Sequence, residues 1–149
     1  MRPRSQRVAQ AAFDRVNARK AIFDRAQPAE PNTQEKSTSG AKKYGALAHR
    51  FPIWVLQNGL AQATGFLLAK GKEEHLFLLD DLAQILRESG EAGCLDARTF
   101  HAAVIAADTS RTMHLTRRTL EASGWVKRYV QGVLKVDAAG DNAEQENAI

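Results

Sequence analysis

"LAHRFPIWVLQNGLAQATGFLLAKG", residues 47–71, is apolar enough to belong to a core, yet a proline and an Asn-Gly pair interrupt it. Spacing decides what it is. Tyr44, Leu47, Ala48, Phe51, Trp54 and Val55 stay on one helical face straight through Pro52, which fits a single helix bent at the proline better than two separate pieces. Pro52 lies off that face. It removes one backbone bond to Ala48, a penalty of about 3 kcal/mol or more that large apolar neighbours must offset, and it pushes Phe51 from ideal helical angles. Asn58-Gly59 tolerates positive φ and ends the helix. The chain then restarts at once, with Leu60, Ala63, Leu67 and Leu68 as the buried stripe of a second rod. Gly71 closes that rod, with Lys70 and Lys72 beside the negative end of its dipole. The stretch thus predicts two helices meeting at a tight corner.

Working outward, the same periodicity recurs and no period-two alternation competes with it, so the fold class is all-α: a compact single-domain bundle of about six helices. A first helix over about Arg4–Ala26 places Ala9, Ala12, Phe13, Val16 and Phe23 on one face, with Arg7, Asp14 and Arg25 opposite and Arg15 on the shoulder. Residues 27–40, with Pro28, Pro31 and Gly40, read as a polar loop. A fourth helix, about Lys72–Glu88, carries Leu76, Leu79, Ala83 and Leu86, widened by Leu78, Leu82 and Ile85, an arc broad enough for burial on two sides. Asp96 is the expected N-cap of a fifth helix with Phe100, Ala103, Val104 and Ala107 inward. A last helix starts between Ser110 and Thr116 and runs to Lys135, its seam formed by Leu115, Ala122, Val126, Tyr129, Val133 and Val136. Residues 4–136 therefore make the helical domain, and 137–149 an acidic tail with too few apolar groups to offset its ordering entropy.

Composition narrows the function. The 149 residues suit one core, and no uncharged apolar run approaches the ~20 residues of a membrane helix. The basic start "MRPRSQR" leads into an amphipathic segment rather than an apolar signal core, so a cytoplasmic location is expected. Cys94 stands alone, and its lack of an internal disulfide partner suits a reducing compartment. Charge is uneven: Asp137, Asp141, Glu144 and Glu146 all lie past Lys135, so the rest of the chain carries 21 Lys and Arg against 13 acids. Such a surplus favours a polyanionic partner through Coulomb attraction and counterion release.

Catalytic patterns are missing from the sequence. Asp80 and Asp81 point about 100° apart on a helix, so they make no two-carboxylate clamp and read as solvated charges. His49, His75, His101 and His114 show no metal-ligand spacing with each other or with Cys94. No nucleophile elbow or phosphate-cradling glycine loop occurs either. Neither a cofactor nor a metal is expected.

Basic residues on helical faces say more. Lys43, Arg50 and Gln57 recur every seven residues, opposite the apolar stripe of the Pro52 helix and about 10 Å apart. A phosphate backbone can lie along that line, with Lys42, Lys70 and Lys72 at its margins. On the last helix Arg117, Arg118, Arg128 and Lys135 flank Glu121 and Trp125 away from the seam, where arginine forks suit phosphate and a tryptophan suits base stacking. Charged faces that simply meet water, and a tryptophan that simply packs, are the plainer alternative.

Three stretches together resemble one family. "KKYGALAHRFPIWVLQNGLAQATGFLLAKG" (42–71) carries Tyr, then Pro, then Asn-Gly-Leu and an apolar helix; "LTRRTLEASGWVKRYVQGVL" (115–134) is a Thr-started helix with a Trp-x-Lys-Arg core; "RVAQAAFDRVNA" opens the chain. Together they are similar to the small helical subunit of the type III-B CRISPR-Cas effector complex, the RAMP module or Cmr complex. The resemblance spans most of 7–134. It departs at Arg118, where an acid is expected, and at Met113-His114, where a tyrosine often precedes the helix. The acidic tail has no counterpart.

What the resemblance implies is a bundle without catalysis of its own. Copies would stack beside the RAMP backbone subunits and the polymerase-like large subunit, lining a basic channel for guide RNA and target RNA in antiviral defence, with cleavage left to other subunits. Lys42, Lys43, Arg50, Gln57, Lys70, Lys72, Arg117, Arg118 and Arg128 would then face RNA. The broad face of the fourth helix and the margins of the last one would meet neighbouring subunits. Two other classes stay open: a scaffold that binds only protein, and a helix-turn-helix DNA regulator, although "QNGLAQATGFLLAK" offers few base-reading residues.

Overall fold

The computed structural model describes residues 2–25 and 34–137, without the side chains of 34–39. Its elements are α1 (Arg4–Arg25), α2 (Gln34–Asn58), α3 (Leu60–Lys70), α4 (Glu73–Glu88), α5 (Ala97–Ala106) and α6 (Thr109–Tyr129), the last continuing into a π-helical turn, Val130–Leu134. The all-α bundle expected from the periodicity is what forms.

Why these boundaries hold is local chemistry. α2 runs unbroken through Pro52 because Tyr44, Leu47, Ala48, Phe51 and Val55 are all buried on one side of it. Gly59 alone joins α2 to α3, at φ 87°, a conformation that glycine adopts without Cβ strain. At the far end of α3, Gly71 is left-handed and its N–H closes on the Leu67 carbonyl. Asp96 caps α5 through a reciprocal pair with Thr99, and the Asp108 side chain accepts from the Arg111 N–H at the start of α6.

α4 is the central rod and packs against each of the other five helices. Leu78, Leu79, Leu82, Ala83, Ile85 and Leu86 are all buried there. Its broad apolar arc is therefore satisfied inside the chain, which corrects the expectation that this face meets a neighbouring subunit.

Four further expectations change. The α1 face is rotated: Val8, Ala11, Ala12, Val16 and Arg19 are buried, whereas Phe13 lies 40% exposed, edge-on to Tyr129 at 5.3 Å. α2 begins at Gln34, so part of the polar loop is helical; Gly40 there is a packing glycine, since a Cβ would come within 3.1 Å of the Phe23 ring. The remainder of that loop and the tail beyond Asp137 lie outside the described residues. Val136 does not continue the α6 seam as helix. Lys135 turns left-handed, and Val136 folds back onto α2, where its carbonyl oxygen lies 3.1 Å from His49 Nε2. That clasp needs Gly45, because a Cβ there would sit 2.5 Å from Val136 Cγ1.

The fourth correction concerns Asp81, which is wholly buried rather than solvated. Arg19 reaches both its oxygens, with Nη2 at 2.9 Å, Arg15 Nε donates at 2.9 Å, and the Tyr44 hydroxyl donates at 2.6 Å. The Arg19 guanidinium also lies 3.9 Å over the Phe77 ring. One carboxylate thus ties α1, α2 and α4 together. Burial, then the Asp81 charge and hydrogen bond, push the Tyr44 phenol well above its ordinary pKa, so it remains a neutral donor. Asp80, one residue earlier, points elsewhere and accepts from the Ala97 N–H at 2.6 Å, steadying the start of α5.

Candidate nucleic-acid interface

Among the described residues two sets of basic side chains stand out, apart from Arg4 and Lys20, which pair with the surface acids Glu121 and Asp24. The first is held by buried carboxylates: Arg15 and Arg19 by Asp81, and Arg111, His114 and Arg118 by Glu91. Glu91 sits in the α4–α5 connection and is itself buried, with Arg111 Nη2 at 2.6 Å and His114 Nε2 at 2.5 Å. Burial raises its pKa, but the hydrogen bonds from His114 and Arg111 outweigh that and hold the carboxyl below its ordinary value.

The second population faces water. Lys43, Arg50 and Gln57 are all exposed along α2, with Lys42 half-buried beside them. Among the described residues no carboxylate forms an ion pair with Lys42, Lys43 or Arg50. Their side chains project away from the bundle because the opposite face of α2 is filled by Tyr44, Leu47, Phe51 and Val55. The line is a basic ridge open to solvent.

Lys70 and Lys72, at the α3–α4 junction, are also exposed. An aromatic row links them to the ridge: Trp54 meets Phe66 edge-to-face at 5.0 Å, Phe66 meets His75 at 6.1 Å, and Lys70 Nζ lies 5.7 Å from the Phe66 centroid. Burial lowers the pKa of His75, with Lys72 and Lys70 adding to the effect against an opposing contribution from Glu74, so its ring favours the neutral form.

On α6 the outcome divides. Arg117 and Arg128 are exposed, as the spacing suggests. Arg118 instead turns inward, its side chain 17% exposed and Nε 3.6 Å from Glu91. Trp125 packs against the core and stacks on Tyr129 at 5.9 Å, with Arg128 over its ring at 5.0 Å, so the packing alternative holds for this tryptophan. Lys135 is exposed past the helix end.

Sequence reasoning missed the aromatic row. The signal was available: Trp54 lies between Arg50 and Gln57 on α2, and Phe66 falls outside the α3 stripe, an aromatic with no place in the core. Among the described residues no three His, Cys, Asp or Glu side chains gather as metal ligands, and no helix is long and apolar enough to cross a membrane.

Comparison with known proteins places this architecture. The profile of the family described as "CRISPR-associated protein (Cas_Cmr5)" matches residues 4–133. The CRISPR system Cmr subunit Cmr5 of Thermus thermophilus is 33% identical over 135 residues, covering 91% of this chain and 99% of the relative. The crystal structure of a CRISPR-associated Cmr5 family protein from Thermus thermophilus superposes with a TM-score of 0.66 at 33% identity, over 90% of this chain and 99% of that one. With the bundle, the Pro52 helix and the Gly59 corner all inside the matched region, the chain belongs to the Cmr5 family of CRISPR-associated proteins, the type III-B small subunits.

Proposed function

We propose that this chain works as a non-catalytic small subunit of a type III-B effector complex, stacking with copies of itself beside the RAMP backbone and polymerase-like subunits. There it contacts guide RNA and target RNA through a basic surface, in antiviral defence. The observation that carries the reading is the α2 ridge: Lys43, Arg50 and Gln57 exposed in one line, the two cations without carboxylate partners among the described residues. Phosphates supply the missing counter-charge, and base pairing between guide and target supplies sequence recognition. Lys42, Lys70, Lys72, Arg117 and Arg128 extend the positive surface. Arg118 contributes chiefly by orienting Glu91 and the α6 start.

The test is the salt dependence of RNA affinity in the assembled complex. Affinity for single strands falls with a slope of about −0.7 per neutralised phosphate, so changing Lys43 and Arg50 together to Ala should make the slope shallower by about 1.4 for each copy in contact. Unchanged slope and affinity would remove the ridge from the RNA path. A protein-only scaffold is the second reading, supported by Ile53 and Leu56, 51% and 73% exposed on α2. In that case the double substitution alters assembly and leaves RNA affinity of the assembled complex as it was.

A further inference from the structure

A cavity of about 240 Å³ opens where α2 meets α3, lined by Trp54, Asn58, Gln62, Ala63 and Phe66. Its walls differ from those of an ordinary surface dent. Trp54, half-buried against the core, meets Phe66 at 5.0 Å with an interplanar angle of 67°, an edge-to-face contact that uses the edge of one ring and one face of the other, so the stacking surface of the cleft is what the two rings still expose. Phe66 is 40% exposed and lines both this cavity and a second one that Ile105 of α5 also borders. Asn58 and Gln62 are exposed, and neither side-chain amide is engaged in a hydrogen bond among the described residues.

Each of these parts suits one ligand chemistry. A side-chain amide presents a donor and an acceptor together, the combination that the edges of nucleobases require. An aromatic face stacks on any base. The cations lie outside the cavity rather than in it: Lys70 lies over the Phe66 ring, and Arg50 precedes Trp54 by one turn along α2. Gly59, at the corner between the helices, has open space where a Cβ would be. A cleft without internal charge, beside a charged ridge, accommodates a base while its phosphates stay on the ridge.

We infer that the Trp54–Phe66 cleft is a nucleobase pocket, taking one unpaired base of an RNA strand whose phosphates lie along Lys43 and Arg50. The inference rests on the RNA-contact reading above. It goes further in giving the subunit a contact with bases, indifferent to their identity where stacking dominates and tuned by Asn58 and Gln62 at the edge.

Two probes separate this inference from its foundation: a uridine oligonucleotide and an oligonucleotide of the same length and charge without bases. Titrated into the full chain, the uridine strand should quench tryptophan emission, the abasic strand should not, and Trp54→Phe should abolish most of the quench. Phe66→Leu, conservative at a 40%-exposed position, should weaken binding of the uridine strand by about 5- to 150-fold, the equivalent of ~1–3 kcal/mol for one stacked base, and leave abasic binding unchanged. Lys43→Ala with Arg50→Ala should weaken both strands. If that pair weakens both while Phe66→Leu weakens neither, the pocket is refuted and the ridge stands; if neither strand binds the full chain, the pocket is refuted, and the ridge is judged by the salt dependence of the assembled complex. Solvent-quencher access to Trp54 in the assembled complex gives the remaining outcome. Protection that is the same with and without RNA means a protein neighbour fills the cleft, which overturns the inference.

Discussion

Changing Asp81 to Asn tests whether one buried carboxylate holds three helices together. Asp81 has no exposure, Arg19 only 7%, and the Arg15 side chain 22%. The substitution keeps the shape and removes the charge, leaving the Arg19 guanidinium enclosed without a counter-ion. Breaking a buried pair from one side costs about 3–5 kcal/mol. Against the ~5–15 kcal/mol that separates a folded domain from its unfolded chain, this is a large fraction. At about 2–4 °C per kcal/mol for a chain of this size, Tm should fall by roughly 6–20 °C. Urea denaturation of the full chain followed by circular dichroism reads the effect directly. Tyr44→Phe, which deletes one hydrogen bond to a charged group, should lose less, about 1.5–3 kcal/mol. Replacing Arg15, Arg19 and Asp81 together by Met, Met and Leu should recover much of the loss, because a dry apolar trio is often as stable as a buried ionic one. A loss below about 1 kcal/mol for Asp81→Asn would refute the reasoning and return Asp81 to the status of a surface charge.

Gly45→Ala should destabilise by about 1–3 kcal/mol through overpacking against Val136, although helix propensity alone favours Ala by up to ~1 kcal/mol. Val136→Ala should relieve part of that clash, so an additive double mutant would refute the clasp. The lowered pKa of Glu91 means the folded chain binds a proton less readily there than the unfolded chain. Its contribution is present above the ordinary carboxylate pKa and is lost as pH falls through the folded value, so Glu91→Gln should flatten the acid limb of a stability-against-pH curve. Cys94 is buried and its thiol is pushed up by that burial, so a thiol reagent should label it at the rate of opening rather than on mixing; immediate labelling of the native chain would contradict its placement.

Helix identity was legible because apolar period and punctuation agree: the Tyr44–Val55 stripe, Gly59, Gly71 and Asp96 each act within a turn or two of themselves. Asp81, Arg19 and Glu91 were not, since their partners lie 20 to 66 residues away in sequence and only tertiary packing brings a carboxylate to them. The Trp54–Phe66 cleft is a different case: its two rings are 12 residues apart and each is marked in the sequence, but they meet only because the Gly59 corner brings α3 against α2. Outward cations on α2 could be read because they are defined by opposition to a buried stripe. Arg118 could not, because it lies on the shoulder of α6, where Glu91 decides its direction.

The Val136 clasp has a practical consequence. With Val136 seated against Gly45 and its carbonyl oxygen at His49 Nε2, the last described turn of the chain is fastened to α2, the helix that carries the proposed RNA ridge. Shortening the protein to residue 134 would therefore do more than remove a tail: it would uncover the α2 backbone at Gly45 and leave His49 Nε2 without the Val136 carbonyl.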